Sequence, residues 1–148
     1  MKTAERYGTL GARVALATIF VVTGLNKLAG PTDTAAYIAS KGLPLPFALA
    51  IGAGALELAA GTMLVVGLGT RIAALALAAF VVLATVLFHN PIGLAGMEAR
   101  MQTIHVLKNV AIVGGLLAVA VWGAGPLSLD ARSRRARGAD RAVGEALS

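Results

Sequence analysis

The chain has 148 residues, 57% of them hydrophobic and only 14% charged, with a mean hydropathy of +0.80 and a formal net charge of +6. A soluble domain of this size carries about 25% charged residues, so the composition excludes an ordinary soluble enzyme and points to one integral membrane domain. The basic excess does not imply a nucleic-acid partner: Arg132, Arg134, Arg135, Arg137 and Arg141 crowd a tail beside a membrane helix, where anionic lipid is the natural counterpart.

A helix rises 1.5 Å per residue, so a crossing of ~30 Å needs roughly 20 residues. The first such segment is 10–28, preceded by a short basic N-terminus (1–9) and ended by Asn26, Lys27, Gly30 and Pro31. Basic residues before an apolar run resemble a signal peptide. No small-residue cleavage site follows, so the segment is read as a retained span. The next stretch, "AGPTDTAAYIASKGLPLP", is long enough for a short interfacial helix over Thr34 to Lys41, with Tyr37 and Ile38 facing lipid. The second span, 46–67, opens at Pro44 and Pro46. The turn "GLGTR" then forces an antiparallel hairpin into the third span, 70–89, which stops at His89, Asn90 and Pro91. After an irregular connection the fourth span runs 103–123, ended by Gly123, Gly125 and Pro126. Backbone groups in lipid must be satisfied within the segment, so all four are helices. The expected fold is an all-α, four-transmembrane-helix antiparallel bundle, up-down-up-down, over residues 10–130. The Arg-rich remainder, 131–148, is expected to be disordered or lipid-bound.

Orientation follows from Lys and Arg. Nine lie on the side of the termini and the "GLGTR" turn (Lys2, Arg6, Arg13, Arg71 and the five tail arginines). Four lie on the other (Lys27, Lys41, Arg100 and Lys108). Both termini should be cytoplasmic and His89 should lie near the outer face. Arg13 and Arg71 read as topology and lipid anchors.

An ionisable residue at mid-helix costs roughly 2.5–3.5 kcal/mol on insertion scales, so the polar residues of the spans locate the interior. Glu57 lies 11 positions after Pro46, ~16 Å deep, and must face the bundle. It is either a packing partner or part of a site. Lys108 is the natural candidate to pair with it. His105, Lys108, Asn109 and Ile112 are three and four apart and share a helix face. In the first span Arg13, Ala17, Phe20, Gly24 and Lys27 step by 4, 3, 4 and 3 along one continuous face. Thr85 and His89 are one turn apart on the third. These residues, with Asn26 beside Lys27, define a candidate pocket of Lys27, Glu57, His89, Lys108, Asn109, Asn26, Thr85 and His105, drawn from all four helices in the outer half of the membrane.

The stretches "TGLNKLAGP", "GLPLP", "ELAAGTMLVVGLGTRIAAL", "ATVLFHNP", "KNVAIVGGLLAVA" and "GPLSLD", in this order and spacing, resemble the DoxX family of four-helix bacterial membrane proteins, over about residues 10 to 130. The resemblance implies a bundle in the bacterial cytoplasmic membrane. It also places Lys27, Glu57, Arg71, His89, Lys108 and Asn109 on recurring polar positions. DoxD-type relatives belong to thiosulfate:quinone oxidoreductase. Other members are associated with oxidative-stress complexes containing superoxide dismutase and a sulfurtransferase. The implied context is therefore redox.

Two functions are expected from different classes. The first is a redox-associated subunit, at most an oxidoreductase subunit, whose pocket takes a quinone head group or small oxyanion. Lys27 and Lys108 would supply positive charge, His89 would hydrogen-bond or relay a proton, and Glu57 would accept it. The alternative is a non-catalytic scaffold or assembly subunit, whose polar residues only lock the bundle. Expected partners are the lipid bilayer, membrane-associated redox proteins and a second copy of the chain. The absence of cysteine excludes dithiol redox chemistry and thiolate-ligated clusters. Haem ligation by His89 and His105, and a metal site with Glu98, lack supporting motifs, and no metal is expected. Four helices without broken spans also make a poor transporter.

Overall fold

A computed structural model describes residues 3–146, with side chains through Gly138. It consists of six helices: α1 (Thr3–Ala29), α2 (Pro31–Ser40), α3 (Pro46–Val66), α4 (Thr70–Phe88), α5 (Gly96–Trp122) and α6 (Leu129–Ala146). Four of them, α1, α3, α4 and α5, are long and apolar enough to cross a membrane. No strand occurs among the described residues.

The helices pack through small residues, because in lipid close van der Waals contact must replace the hydrophobic effect as the force between helices. The closest approach joins α1 to α3. A Cβ placed on Gly24 would lie 2.7 Å from the Leu58 amide nitrogen and 2.9 Å from the Gly54 carbonyl oxygen. One on Gly61 would meet Phe20 and Val21 at 3.1 Å. The buried residues of α1 are Arg13, Ala17, Phe20 and Gly24, the stripe that the 4, 3, 4 spacing picks out. Leu64, Leu77, Ala74 and Leu116 complete a core shared with α4 and α5. Leu116 is the one buried residue of α5, which packs mainly on α4. It meets α1 where a Cβ on Gly115 would lie 3.4 Å from Leu16.

At the end that carries the "GLGTR" turn, three helix termini are tied together. The guanidinium of Arg13 is only 2% exposed. It donates to the carbonyls of Ala124, Val65 (3.3 Å) and Leu127 (2.9 Å). Gly67, at φ +72°, leaves room for it: a Cβ there would lie 2.6 Å from the arginine Nη1 and would clash with Ser128 Cβ. The carboxylate of Asp130 accepts from the amides of Gly69 (2.8 Å) and Thr70 (3.0 Å), capping α4 from 60 residues away. Partial burial opposes its charge, yet the amide bonds from Thr70 and Gly69 hold its carboxyl below the usual carboxylate range. Ser128 Oγ in turn accepts from the Ala131 amide at the start of α6.

A Ser128 cap starts α6, which runs on to Ala146. Two expectations need correction. Arg13 is not a lipid-facing anchor: its planar fork satisfies carbonyls at the end of α3 and in the segment after α5, and burial follows. Ile38 does not face lipid. It is buried against Ala35 and Ala50, while Tyr37 stacks on Phe88 with ring centroids 5.4 Å apart. Helix α2 therefore lies on the bundle end, bound to α3 and α4.

Candidate functional site

α1 stops short of the start of α3, and α2 closes over the notch. Beneath α2 lies a cavity of about 400 Å³, lined by residues of α1, α2, α3, α4 and α5 together with His89. Its walls are largely apolar, with Phe20, Phe80, Val81 and Ile112 among them. Lys27, Glu57 and Asn109 bring polar groups to it from three different helices, and His89 stands at the α4 end. The volume falls in the ~300–1,000 Å³ range of small-molecule sites.

The glycine contacts between α1 and α3 set the site's main polar feature. They bring the end of α1 alongside the middle of α3, where Lys27 Nζ meets Glu57 Oε2 at 2.7 Å. Glu57 is 5% exposed, whereas the Lys27 side chain keeps 25% of its surface open. The carboxylate is thus the enclosed member of the pair. Three residues before Glu57 on the same face, a Cβ on Gly54 would press on Lys27 Cβ at 3.0 Å, so a larger residue there would push the lysine aside.

On the opposite wall Asn109 Nδ2 donates to Thr85 Oγ1 at 2.8 Å, and that hydroxyl donates to the Val81 carbonyl at 2.6 Å. The amide oxygen of Asn109 makes no bond within this chain of donors. At the α4 end, His89 Nδ1 lies 3.0 Å from Gln102 Oε1. The amide oxygen can only accept, so Nδ1 carries the proton of this bond. The His89 ring stacks on His105 with centroids 4.8 Å apart and planes 19° apart.

The structure brings together part of the predicted constellation. Lys27, Glu57, His89 and Asn109 line the cavity, and Thr85 supports Asn109 from behind. Lys108 does not pair with Glu57. It is exposed, with Nζ 3.3 Å from His105 Nδ1 one turn away. Neighbours on a helix point about 100° apart, so a rotation of α5 that turns Asn109 inward necessarily turns Lys108 outward. His105 stays outside the cavity as the stacking partner of His89, and Asn26 is exposed at the end of α1. Arg71 is exposed at the opposite end, next to Gly123.

Sequence reasoning missed Gln102, Asp130 and Ser128. Gln102 is three residues from His105 and so shares its helix face, a signal that was available. For Asp130 the only local signal is its place in "GPLSLD", since the amides it caps are far away in sequence. Among the described residues no cluster of three or more His, Cys, Asp or Glu side chains is placed to hold a metal ion.

The family model for DoxX matches residues 8–90. Inner membrane protein YphA of Escherichia coli (strain K12) is 35% identical over 121 residues, covering 82% of this chain and 86% of that protein. Inner membrane protein YqjF of the same organism is 32% identical over 133 residues, covering 88% of this chain and 95% of the relative. No solved structure matches the chain.

Proposed function

The chain belongs to the DoxX family of membrane proteins, and on that premise we propose that its cavity binds a quinone-class lipid, as a redox-associated subunit of the bacterial cytoplasmic membrane. The observation that carries this reading is the cavity itself: an apolar chamber among helices long and apolar enough to cross a membrane, whose polar groups, Lys27 and Asn109, enter from opposite walls. A quinone ring is flat and apolar with carbonyl oxygens at two ends. The ammonium of Lys27 donates to one oxygen. Asn109, whose amide oxygen is free to accept, takes the hydroxyl of the reduced form. Glu57 holds Lys27 in place and supplies a carboxylate through which a proton can exchange with the head group. Entry is from the bilayer, on the side where α1 and α5 barely touch. By the excess of Lys and Arg, the Arg13 end faces the cytoplasm and the cavity lies in the outer half of the membrane.

The test is binding. Protein purified in mild detergent is extracted and its quinone content measured by mass spectrometry, then titrated with a short-chain ubiquinone analogue. Lys27→Met and Asn109→Leu should each weaken binding by about tenfold or more, the loss of one hydrogen bond to a buried polar group. Arg71→Gln, at the opposite end, should bind as the parent does. Equal binding by all four proteins rejects the reading.

A second reading, a scaffold subunit, is favoured by one observation: the cavity's polar side chains already bond to one another across helices, Lys27 to Glu57 and the Asn109 NH2 group to Thr85. It expects a stoichiometric partner that co-purifies with the Lys27→Met and Asn109→Leu proteins as well as with the parent.

A further inference from the structure

At the Arg13 end a second recess lies on the surface, between the end of α5 and the start of α6. Trp122, Gly125 and Pro126 form one side, and Ala131, Arg134 and Arg135 the other. Arg71 flanks it from α4: a Cβ on the neighbouring Gly123 would lie 3.6 Å from its Nε. Arg71, Arg134 and Arg135 are all exposed. The nearby carboxylate, Asp130, bonds the amides of Gly69 and Thr70 and also attracts Arg134, but it is one negative charge against three guanidiniums, which leaves the groove with an excess of positive charge.

We propose that this groove binds the phosphate of an anionic phospholipid. Arginine presents a planar fork that matches phosphate oxygens two at a time, and basic pockets at the ends of membrane helices take anionic head groups. The choice of a lipid over a free anion rests on what adjoins the groove. Trp122 is 79% exposed at the end of a membrane-spanning helix, the level at which tryptophan sits at the interface. Below it Val121 and Leu117 continue an exposed apolar face on which acyl chains can lie. Charge and apolar surface meet at one place, and α6 is held there by the Ser128 cap and the Asp130 bonds.

The experiment uses the full chain, delipidated in mild detergent, and counts lipids retained by native mass spectrometry on titration with phosphatidylglycerol or phosphatidylcholine. The parent should retain phosphatidylglycerol preferentially. Arg134→Gln/Arg135→Gln should lose at least tenfold in that affinity with phosphatidylcholine unchanged. Arg132→Gln/Arg137→Gln removes the same charge from α6 outside the groove and should change it by less than threefold. Equal loss in both double variants, or no preference in the parent, overturns the proposal. So does displacement of the lipid from the parent by millimolar inorganic phosphate, which would mark a free-anion site and needs no variant to fold.

Discussion

Replacing Arg13 by Met should destabilise the fold more than any change to an exposed arginine. The guanidinium serves three carbonyls, on Ala124, Val65 and Leu127. Hydrogen bonds to a charged group contribute about 1.5–3 kcal/mol each. The 3.3 Å bond to Val65 belongs at the low end of that range. One term offsets the loss: removing the arginine also removes the cost of keeping a charge out of water. The net should be about 3 kcal/mol, or roughly 6–12 °C in Tm for a chain of this length. Arg13→Lys should recover only a minor part, because one ammonium cannot span carbonyls on two chain segments. Thermal unfolding in a mild detergent, followed by far-ultraviolet circular dichroism, reads both. An Arg13→Met protein that melts within about 2 °C of the parent would refute the view that this buried guanidinium joins α1, α3 and the α5–α6 connection.

Removing one member of the Lys27–Glu57 pair should cost roughly 2–4 kcal/mol, somewhat below a fully buried pair because Lys27 is partly open, whereas Lys27→Met/Glu57→Leu should lie within about 1 kcal/mol of the parent. Additive single effects in that double-mutant cycle would show that the pair is not coupled. Gly24→Ala places a methyl 2.7 Å from a backbone nitrogen of α3, so α1 and α3 must separate. A loss of about 1–3 kcal/mol is expected, along with weaker quinone-analogue binding, and a Tm unchanged from the parent would contradict the packing described. Asp130 titrates below the ordinary carboxylate value in the folded protein. Its stabilisation is therefore complete above the unfolded pKa of about 3.9 and is lost as pH falls through the lower folded value. Melting temperatures of the parent and Asp130→Asn should differ at pH 7 and converge toward pH 3; a constant gap across that range counts against the cap.

The sequence is informative where structure is a local property of the chain. Hydropathy and length marked the four spans, and proline and glycine marked their ends. The period of three and four picked out the Arg13, Ala17, Phe20 and Gly24 stripe that the fold buries. The cost of polar groups in lipid pointed to Glu57 as an interior residue, and it is. Reading went wrong where a partner had to be chosen: it paired Lys108 with Glu57, whereas the partner is Lys27. Only the rotation of α5 about its own axis, which turns Asn109 inward, decided between them.

What the sequence determined by itself is the class and frame: an integral membrane domain of four apolar helices, with Glu57 turned inward. Each of these follows from residues within a few turns of one another. The tertiary structure alone decided the pairings. Gly24 against Gly54 draws Lys27 to Glu57 across 30 residues, and Asp130 caps α4 across 60. The fold also laid α2 over the cavity with Ile38 turned inward. Such contacts depend on the approach and rotation of whole helices, and packing between surfaces distant in sequence sets both.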